Sequence, residues 1–287
     1  MGWNLLKYIL WERFHWTIGS QVWATQFMRL LGKKLYVHNT AFAESENSRL
    51  SSNFFGKNGF SFFQLSEAVA VQLPTANNAR DVVVNDLREI LVEKIYEFGD
   101  ARIRPNDIVI DCGANIGLFS LLALSRMEAG GQLIAIEPVP SIRELLETNL
   151  SRVISPGKYH VCERPVYCDT RSMTLSLDED VFTMHRLDMD RSAGKSAKIQ
   201  VRTATIDDLV NDFRLPRVDF IKMDIEGAEI AALRGAAMTL KRWKPRLAIS
   251  AYHQIDDFYE IPRLIYSLNP DYHTYVTRSL SPLCYAW

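Results

Sequence analysis

Cysteine is scarce in this sequence, and the few cysteines are not arranged as a metal site or a redox pair. Four occur in 287 residues, with no C-x-x-C pair and no zinc-binding spacing among them. We interpret them as reduced thiols of a cytoplasmic protein, and we expect Cys112 to be a small packing residue. The other three are Cys162, Cys168 and Cys284.

An excess of charge of one sign and a long apolar run are also lacking. The formal net charge of −1 provides no general field for nucleic acid or anionic lipid. Lys7, Glu12 and Arg13 interrupt the apolar N-terminus before about 18 residues accumulate, so we expect neither a signal peptide nor a transmembrane span. The sequence therefore predicts a cytoplasmic protein without a nucleic-acid partner.

Tryptophan, in contrast, is concentrated at the N-terminus, where Trp3, Trp11, Trp16 and Trp23 are four of the six in the chain. Apolar residues within this stretch share one helical face. Three interpretations remain open: packing on the rest of the chain, a contact between two copies, or an interfacial helix at the periphery of a membrane. Residues 1–30 are the candidate contact in the last two.

Residues 1–86 are predicted to be an aromatic-rich helical extension and a linker. The Ser-, Asn- and Gly-rich residues 41–60 indicate a loop. Residues 68–73 and 81–84 favour two strands, and residues 87–98 have helical spacing. The remaining residues, 87–287, have the length of one large α/β domain.

The most informative motif is D-x-G-x-N-x-G, formed by Asp111, Gly113, Asn115 and Gly117. It lies between the apolar residues 108–110 and a helical stretch, which is typical of a strand, a tight turn and a helix. The two glycines allow the backbone to turn sharply and to approach a ligand closely. The spacing does not fit the G-x-G-x-x-G pattern of dinucleotide-binding proteins.

A second acid is placed to bind a nucleoside. Glu137, followed by Pro138, ends the next predicted strand, where a carboxylate can accept both ribose hydroxyls. Asp111, at the start of the turn, disfavours a pyrophosphate but suits a ligand amine. The combination favours S-adenosylmethionine, which carries a sulfonium and an ammonium, over NAD.

Strands and helices alternate from residue 108 onwards, which predicts a mostly parallel sheet with helices on both faces. We place strands at 108–111, 132–137, 158–163, 218–224 and 246–252, and a closing pair at 272–278 and 281–287. Helices are predicted at 117–128, 140–150, 205–213, 227–242 and 255–267. Ligands of such sheets bind beyond the carboxyl ends of the strands.

Residues 171–198 interrupt the alternation with a less regular stretch of mixed charge. We expect either a lid or acceptor-binding loop, or a solvated connector. His185 and Arg186 are the residues of this stretch to test first.

The carboxyl ends of the last strands carry candidate catalytic residues. Asp224 follows a buried strand, where an unpaired carboxylate is costly unless a ligand meets it. Glu226 is a second candidate, whereas we assign Glu229 a structural role in the first turn of a helix. His253 is a candidate base because an unperturbed imidazole titrates near pH 6.5. A divalent cation held by these groups is an alternative, although their spacing is no recognised metal signature.

These motifs resemble the FkbM-type S-adenosylmethionine-dependent methyltransferases. The resemblance covers residues 87–287 and is carried by residues 111–117, 135–138, 205–209 and 218–229, and it continues through 233–236, 244–247 and 252–253. Where the family has a glutamate before its Tyr-His pair, this chain has Ser250 and Ala251. The resemblance implies a class I methyltransferase (Rossmann-like) α/β fold, whose mostly parallel seven-stranded sheet has one antiparallel strand.

The resemblance also implies a function. It predicts an O-methyltransferase that acts on a hydroxyl of a sugar, glycolipid or secondary metabolite, with Asp111, Gly113, Asn115, Gly117, Glu137, Pro138 and Asp224 at the cofactor. His253, Asp224 and Glu226 would be catalytic, without a metal ligand set. Two alternatives remain: an N-methyltransferase, and a non-catalytic protein that keeps the cofactor fold for assembly.

Overall fold

A computed structural model describes residues 54–57, 60–66, 69–73, 79–127, 130–154, 157–177, 186–187, 197–277 and 281–287. The predictions on residues 1–30 and on His185 lie outside these residues.

The described residues form thirteen strands, which belong to three sheets. In chain order the strands are β1 (Phe54–Lys57), β2 (Phe60–Ser66), β3 (Val69–Gln72), β4 (Ile108–Cys112), β5 (Gln132–Ile136), β6 (Tyr159–Cys162), β7 (Ser172–Leu177), β8 (Arg186–Leu187), β9 (Ala197–Arg202), β10 (Phe220–Met223), β11 (Arg246–Ser250), β12 (Thr274–Val276) and β13 (Leu283–Ala286).

Seven α-helices and one π-helical turn are described between these strands. The helices are α1 (Ala79–Leu87), α2 (Leu118–Arg126), α3 (Pro140–Ser151), α4 (Ile206–Asp212), α5 (Glu229–Arg234), α6 (Ala237–Trp243) and α7 (Asp257–Leu268), and the π-helical turn (Arg88–Val92) directly follows α1.

The largest sheet has seven strands in the spatial order β6-β5-β4-β10-β11-β13-β12. The first five of these strands are parallel, and β13 runs antiparallel to both of its neighbours. The predicted fold is confirmed: this is the seven-stranded class I methyltransferase sheet, with one antiparallel strand inserted by the last hairpin.

Two apolar layers cover the faces of this sheet, because alternate residues of a strand point to opposite faces. Val109 of β4 packs with Phe119 of α2 and Leu146 of α3 on one face. Its neighbour Ile110 packs with Leu209 of α4 and Ile261 of α7 on the other. The carboxyl ends of β4, β5, β10 and β11 therefore meet at one edge, between the two helical layers.

Residues 81–84 were predicted to be a strand, which is wrong, since they lie within α1. The valine run favours a strand by intrinsic propensity. In the structure Val83, Val84 and Leu87 are buried in helical spacing, and packing overrides propensity here. The predicted helix at 87–98 is reduced to the π-helical turn.

Two further predictions need correction. The loop expected at 41–60 includes β1 and the start of β2, which pair antiparallel with Lys57 opposite Phe60. The intervening Asn58 and Gly59 are a hairpin signal that the loop interpretation overlooked. The single helix expected at 227–242 is divided into α5 and α6 near Gly235, where an added Cβ would lie 2.1 Å from the carbonyl oxygen of Tyr167.

Part of the predicted N-terminal extension packs with the α/β domain. Val71, Leu73 and Val83 belong to the same buried cluster as α2 and α3. The side chain of Asn149 on α3 accepts the N–H of Gln72 at 2.7 Å and donates to its carbonyl oxygen at 3.1 Å. The predicted division at residue 87 therefore does not coincide with a break in packing.

The irregular stretch expected at 171–198 contains the antiparallel sheet β8-β7-β9. Leu175 of β7 is buried in the apolar layer of α2 and α3. This sheet is thus anchored on the domain. Among the described residues, no helix combines the length and apolarity that crossing a membrane requires.

Candidate active site

A cleft of about 540 Å³ opens at the carboxyl edge of the seven-stranded sheet. The turn after β4, the ends of β5, β10 and β11, and the segment from α1 to Tyr96 all contribute to its walls. Most of the predicted site residues are brought together there, since the cleft is lined by Gly113, Asn115, Glu137, Pro138, Asp224, Glu226 and His253.

The glycines of the turn are required by contacts within the protein. Gly113 and Gly117 have φ angles of +77° and +95°, which favour glycine. A Cβ on Gly113 would lie 2.0 Å from the carbonyl oxygen of Asp224, and one on Gly117 would lie 2.8 Å from Cδ1 of Leu146. We expected the glycines to permit close approach of a ligand, but the close neighbours are the backbone of β10's end and helix α3.

Glu137 is held with its carboxylate at the cleft. Its two oxygens accept the backbone N–H groups of Asn115 at 3.0 Å and Val139 at 2.9 Å. Burial raises the pKa of Glu137 to about 7, although these two hydrogen bonds act in the opposite direction. Each oxygen keeps acceptor capacity for a further donor such as a ribose hydroxyl.

The side chain of Asn115 supports the same interpretation. Its Oδ1 atom is buried and has no hydrogen-bond partner among the described residues. A buried amide oxygen without a donor is costly, and this one belongs to a cleft-lining residue. The residues present therefore fit a nucleoside cofactor, with Glu137 and Asn115 as its polar contacts.

Asp111 does not reach the cleft in this structure. Its carboxylate is fully buried, forms an ion pair with Lys222 at 3.1 Å and accepts the hydroxyl of Ser120 at 2.6 Å. Our expectation that Asp111 meets a ligand amine therefore finds no geometric support. The carboxylate instead stabilises a buried lysine below the glycine turn.

Lys222 is a site residue whose part in the glycine turn the sequence analysis did not predict. Its ammonium donates to the carbonyl oxygens of Gly113 at 2.6 Å and Cys112 at 3.3 Å. Burial lowers the pKa of Lys222, but the charges of Asp111 and Asp224 outweigh it, so the pKa is raised and the ammonium persists. A charged residue within the otherwise apolar strand β10 was the signal available.

Asp224 is surrounded by donors. Its Oδ2 accepts the hydroxyl of Tyr96 at 2.7 Å, and its Oδ1 lies 3.4 Å from the hydroxyl of Tyr252 and 3.4 Å from Nε2 of His253. These contacts hold the Asp224 carboxylate at the cleft. Tyr96 precedes the glycine turn, and no sequence signal identified it.

His253 lies among three carboxylates. Its Nδ1 atom is 2.8 Å from Oε1 of Glu229, and its Nε2 atom faces Asp224 and, at 3.8 Å, Glu226. Burial lowers the pKa of His253, but the hydrogen bond to Glu229 and the three negative charges raise it to about 9. The imidazole is therefore protonated at neutral pH, contrary to the unperturbed value assumed from the sequence.

The backbone after β10 has an unusual conformation at Glu226 and Gly227. Glu226 has a φ angle of +56° and Gly227 one of +100°, and left-handed backbone costs a non-glycine residue about 1–2 kcal/mol. Such conformations persist where the surrounding structure enforces them, often at functional sites. Glu229, assigned a structural role, is fully buried and accepts the N–H of Ile225 at 2.9 Å.

Asp224, Glu229 and His253 also place atoms of metal-ligand type within 4.8 Å of one another. Oε1 of Glu229 is engaged by the N–H of Ile225 and by the imidazole, whereas its Oε2 atom is buried and has no hydrogen-bond partner among the described residues. In the structure the three side chains form a hydrogen-bonded network around an imidazolium.

The strand order, the acid at the end of β5 and the cleft above the glycine turn define a nucleoside-binding protein of the class I methyltransferase fold. Residues 111–275 match the Methyltransferase FkbM domain family. The chain belongs to this family. Membership implies S-adenosylmethionine as the methyl donor.

Individual relatives are distant. The chain is 26% identical over 175 residues to methyltransferase sdnD of Sordaria araneosa, covering 52% of this chain and 66% of that protein. It is 24% identical over 196 residues to the 31-O-demethyl-FK506 methyltransferase FkbM of Streptomyces tacrolimicus, covering 59% and 74%. A match to the AMB antimetabolite synthetase AmbE of Pseudomonas aeruginosa, 25% identical over 206 residues, covers 58% of this chain but 9% of that protein. The chain thus spans less than two-thirds of methyltransferase sdnD and of the synthetase.

A solved structure, a methyltransferase FkbM from Methylobacillus flagellatus KT, is also similar. It is 24% identical, with a TM-score of 0.49, over 72% of this chain and 52% of that one.

Proposed function

We propose that this protein is an S-adenosylmethionine-dependent O-methyltransferase that acts on a hydroxyl group of a small molecule or glycan. The observation that carries the proposal is the imidazole–carboxylate network of His253, Asp224 and Glu226, which lines the same cleft as Glu137. A relative with 24% identity is named 31-O-demethyl-FK506 methyltransferase, a name that agrees with an oxygen acceptor.

The cofactor supplies an electrophilic methyl group on a sulfonium, and the protein must provide binding, alignment and a route for the acceptor's proton. Glu137 and Asn115 would hold the nucleoside. Tyr252, which donates to Asp224, would orient the acceptor hydroxyl, because it lines the cleft beside His253. Placing the reacting atoms close together supplies much of the rate in a transfer of this kind.

His253 would accept the hydroxyl proton at Nε2 as the new bond forms. With a pKa of about 9, roughly one imidazole in a hundred is neutral at pH 7. The same carboxylates that raise the pKa would stabilise the imidazolium once the proton has arrived. The neutral imidazole is thus a strong base that is present in a small fraction of the molecules at pH 7.

The test uses S-adenosylmethionine labelled with ¹³C in the methyl group and a panel of sugars, glycolipids and alcohols, each paired with the corresponding amine. The chemical shift of the transferred methyl distinguishes an O-methyl from an N-methyl product. We expect transfer to oxygen. Transfer to nitrogen alone would contradict the proposal, and tight binding of S-adenosylhomocysteine without any transfer would favour the non-catalytic alternative.

A further inference from the structure

Asp111 is neutralised by Lys222 beneath the glycine turn, so the cationic end of the cofactor needs another carboxylate. S-adenosylmethionine carries a sulfonium and an ammonium against a single carboxylate. An ammonium buried in a cleft is stable only beside an acceptor, preferably a charged one. The acids that line the cleft near Gly113 are therefore the candidates.

Asp86, on the last turn of α1, is the acid whose surroundings fit. It lines the cleft together with Gly113, Tyr96 and Asp224. No hydrogen bond or ion pair engages its carboxylate among the described residues. Its neighbour Glu89 is 3.8 Å from the guanidinium of Arg88, and Asp224 is held by Tyr96 at 2.7 Å.

The electrostatics of Asp86 favour a cation beside its carboxylate. Burial and then the charges of Glu89 and Asp224 raise the pKa of Asp86 to about 7, and Lys222 compensates only in part. Like charges close together in a partly buried cleft are unfavourable. A ligand cation between Asp86 and Asp224 would remove this repulsion.

We infer that Asp86, with Asp224, binds the ammonium of the cofactor in the place that the sequence assigned to Asp111. This inference rests on the cofactor of the proposed function. It adds a binding residue from α1, which precedes the matched family domain at residues 111–275.

The test compares two ligands that differ at the amino-acid end. S-adenosylhomocysteine carries the ammonium, whereas 5′-methylthioadenosine shares the nucleoside and thioether but has no amino acid. Calorimetric titrations of both ligands are made with the wild-type full-length chain, with Asp86→Asn and with Asp100→Asn. Asp100 is an exposed acid outside the cleft, and its replacement is the matched change of charge.

We expect Asp86→Asn to weaken binding of S-adenosylhomocysteine by about 10- to 100-fold, the usual contribution of a charge-assisted hydrogen bond. Binding of 5′-methylthioadenosine should change less than threefold or so, because the nucleoside contacts are intact. Asp100→Asn should leave both affinities unchanged. Asp86→Asn should also raise the unfolding temperature of the free protein, because it removes like-charge repulsion without changing the shape of the side chain.

Two results would overturn the inference. These are an unchanged affinity of Asp86→Asn for S-adenosylhomocysteine and an equal loss of affinity for both ligands. If the wild-type chain bound neither ligand, the assignment of S-adenosylmethionine as the cofactor in the proposed function would also be contradicted. Asp86→Ser provides the same comparison if the asparagine variant folds poorly.

Discussion

The imidazole of His253 decides how proton transfer depends on pH. A free histidine would be mostly neutral at pH 7, but the carboxylates of Glu229, Asp224 and Glu226 raise the pKa of this one to about 9. Because the folded-state pKa is raised, the protonated form contributes stability that is fully present below pH 6.5 and is lost as the pH rises through 9. Activity should follow the opposite trend, since the neutral form is the base.

We predict that kcat/KM of the wild-type protein rises with pH up to an inflection near 9, and that kcat/KM of His253→Gln does not show this rise. The variant should turn over about 10²–10⁴-fold more slowly, the usual contribution of a positioned base, with little change in affinity for S-adenosylhomocysteine. The measurement is a pH–rate profile of both proteins.

Metal assistance provides the contrasting outcome for this prediction. It would make the activity sensitive to a chelator and restorable by Mg²⁺ or Mn²⁺. If His253→Gln kept full activity and the same rise of kcat/KM with pH, His253 would be excluded as the base. Asp224 and Glu226 would then be the groups to test.

Glu137 should couple cofactor binding to pH. Its pKa is raised by burial to about 7, so the carboxylate that would accept the ribose hydroxyls is partly protonated near neutrality. In the free protein the buried charge reduces stability as the pH rises from about 4.5 to 7. Binding selects the ionised form, so affinity should fall as the pH decreases below 7.

We predict that Glu137→Ala weakens binding of S-adenosylhomocysteine by about 1.5–3 kcal/mol at pH 8, the contribution of hydrogen bonds to a charged group. Calorimetry between pH 5.5 and 8.5 would check it, with Glu137→Gln as the variant that keeps the shape and loses the pH dependence. A folded alanine variant with wild-type affinity would remove Glu137 from the ribose site.

At the scale of elements, the glycine turn shows how much could be predicted from sequence. Its position between β4 and α2 followed from the apolar run and the spacing of the glycines. The partner of the turn could not be predicted, because Asp224 is more than 100 residues away in the chain and approaches only in the folded sheet. Tyr96 and Asp86 enter the cleft for the same reason, through packing of α1 that no local pattern encodes.

The strands of the parallel part of the sheet, β4, β5, β6, β10 and β11, were predictable because buried parallel strands are continuous apolar runs between amphipathic helices. Strands β7 to β9 were not predicted, since residues 171–198 were expected to be irregular. Segments stabilised by tertiary contacts were predicted poorly. The valines of α1 have strand propensity, and Gly235, at the end of α5, lies against the carbonyl of Tyr167, which leaves no room for a Cβ. The role of Asp111 was likewise not predictable, because its charge is neutralised by Lys222 of a neighbouring strand.

Gly113 and Gly117 provide a prediction at this scale. Gly113→Ala would bring a Cβ within 2.0 Å of a backbone oxygen, whereas Gly117→Ala meets the end of the Leu146 side chain at 2.8 Å. Backbone cannot give way as a leucine methyl can, so Gly113→Ala should be the more destabilising change, by about 2–5 kcal/mol. Urea unfolding of the two variants would check this, and equal stabilities would contradict the contact with Asp224.

For the whole molecule, the question is where the folded domain begins. Val71, Leu73, Val83 and Leu87 are each at most 1% exposed and pack with α2 and α3, so the domain includes residues that the sequence assigned to an extension. Each such side chain contributes about 1.5–3 kcal/mol on burial. Together they are comparable to the total stability of a domain, about 5–15 kcal/mol.

We therefore predict that removal of residues 1–50 leaves a folded protein that binds S-adenosylhomocysteine with wild-type affinity, whereas removal of residues 1–86 abolishes cooperative unfolding. Circular dichroism during thermal unfolding, followed by calorimetry, would distinguish the two truncations. The longer one also removes Asp86, so a double substitution, Val71→Ala with Leu73→Ala, serves as the control that tests packing alone. We expect it to cost about 4 kcal/mol or more.

A stable protein lacking residues 1–86 would place the boundary at residue 87 after all, and β3 and α1 would then be an appended layer. The tryptophan-rich segment is removed by both truncations, so a change in oligomeric state or membrane association common to both would belong to residues 1–50.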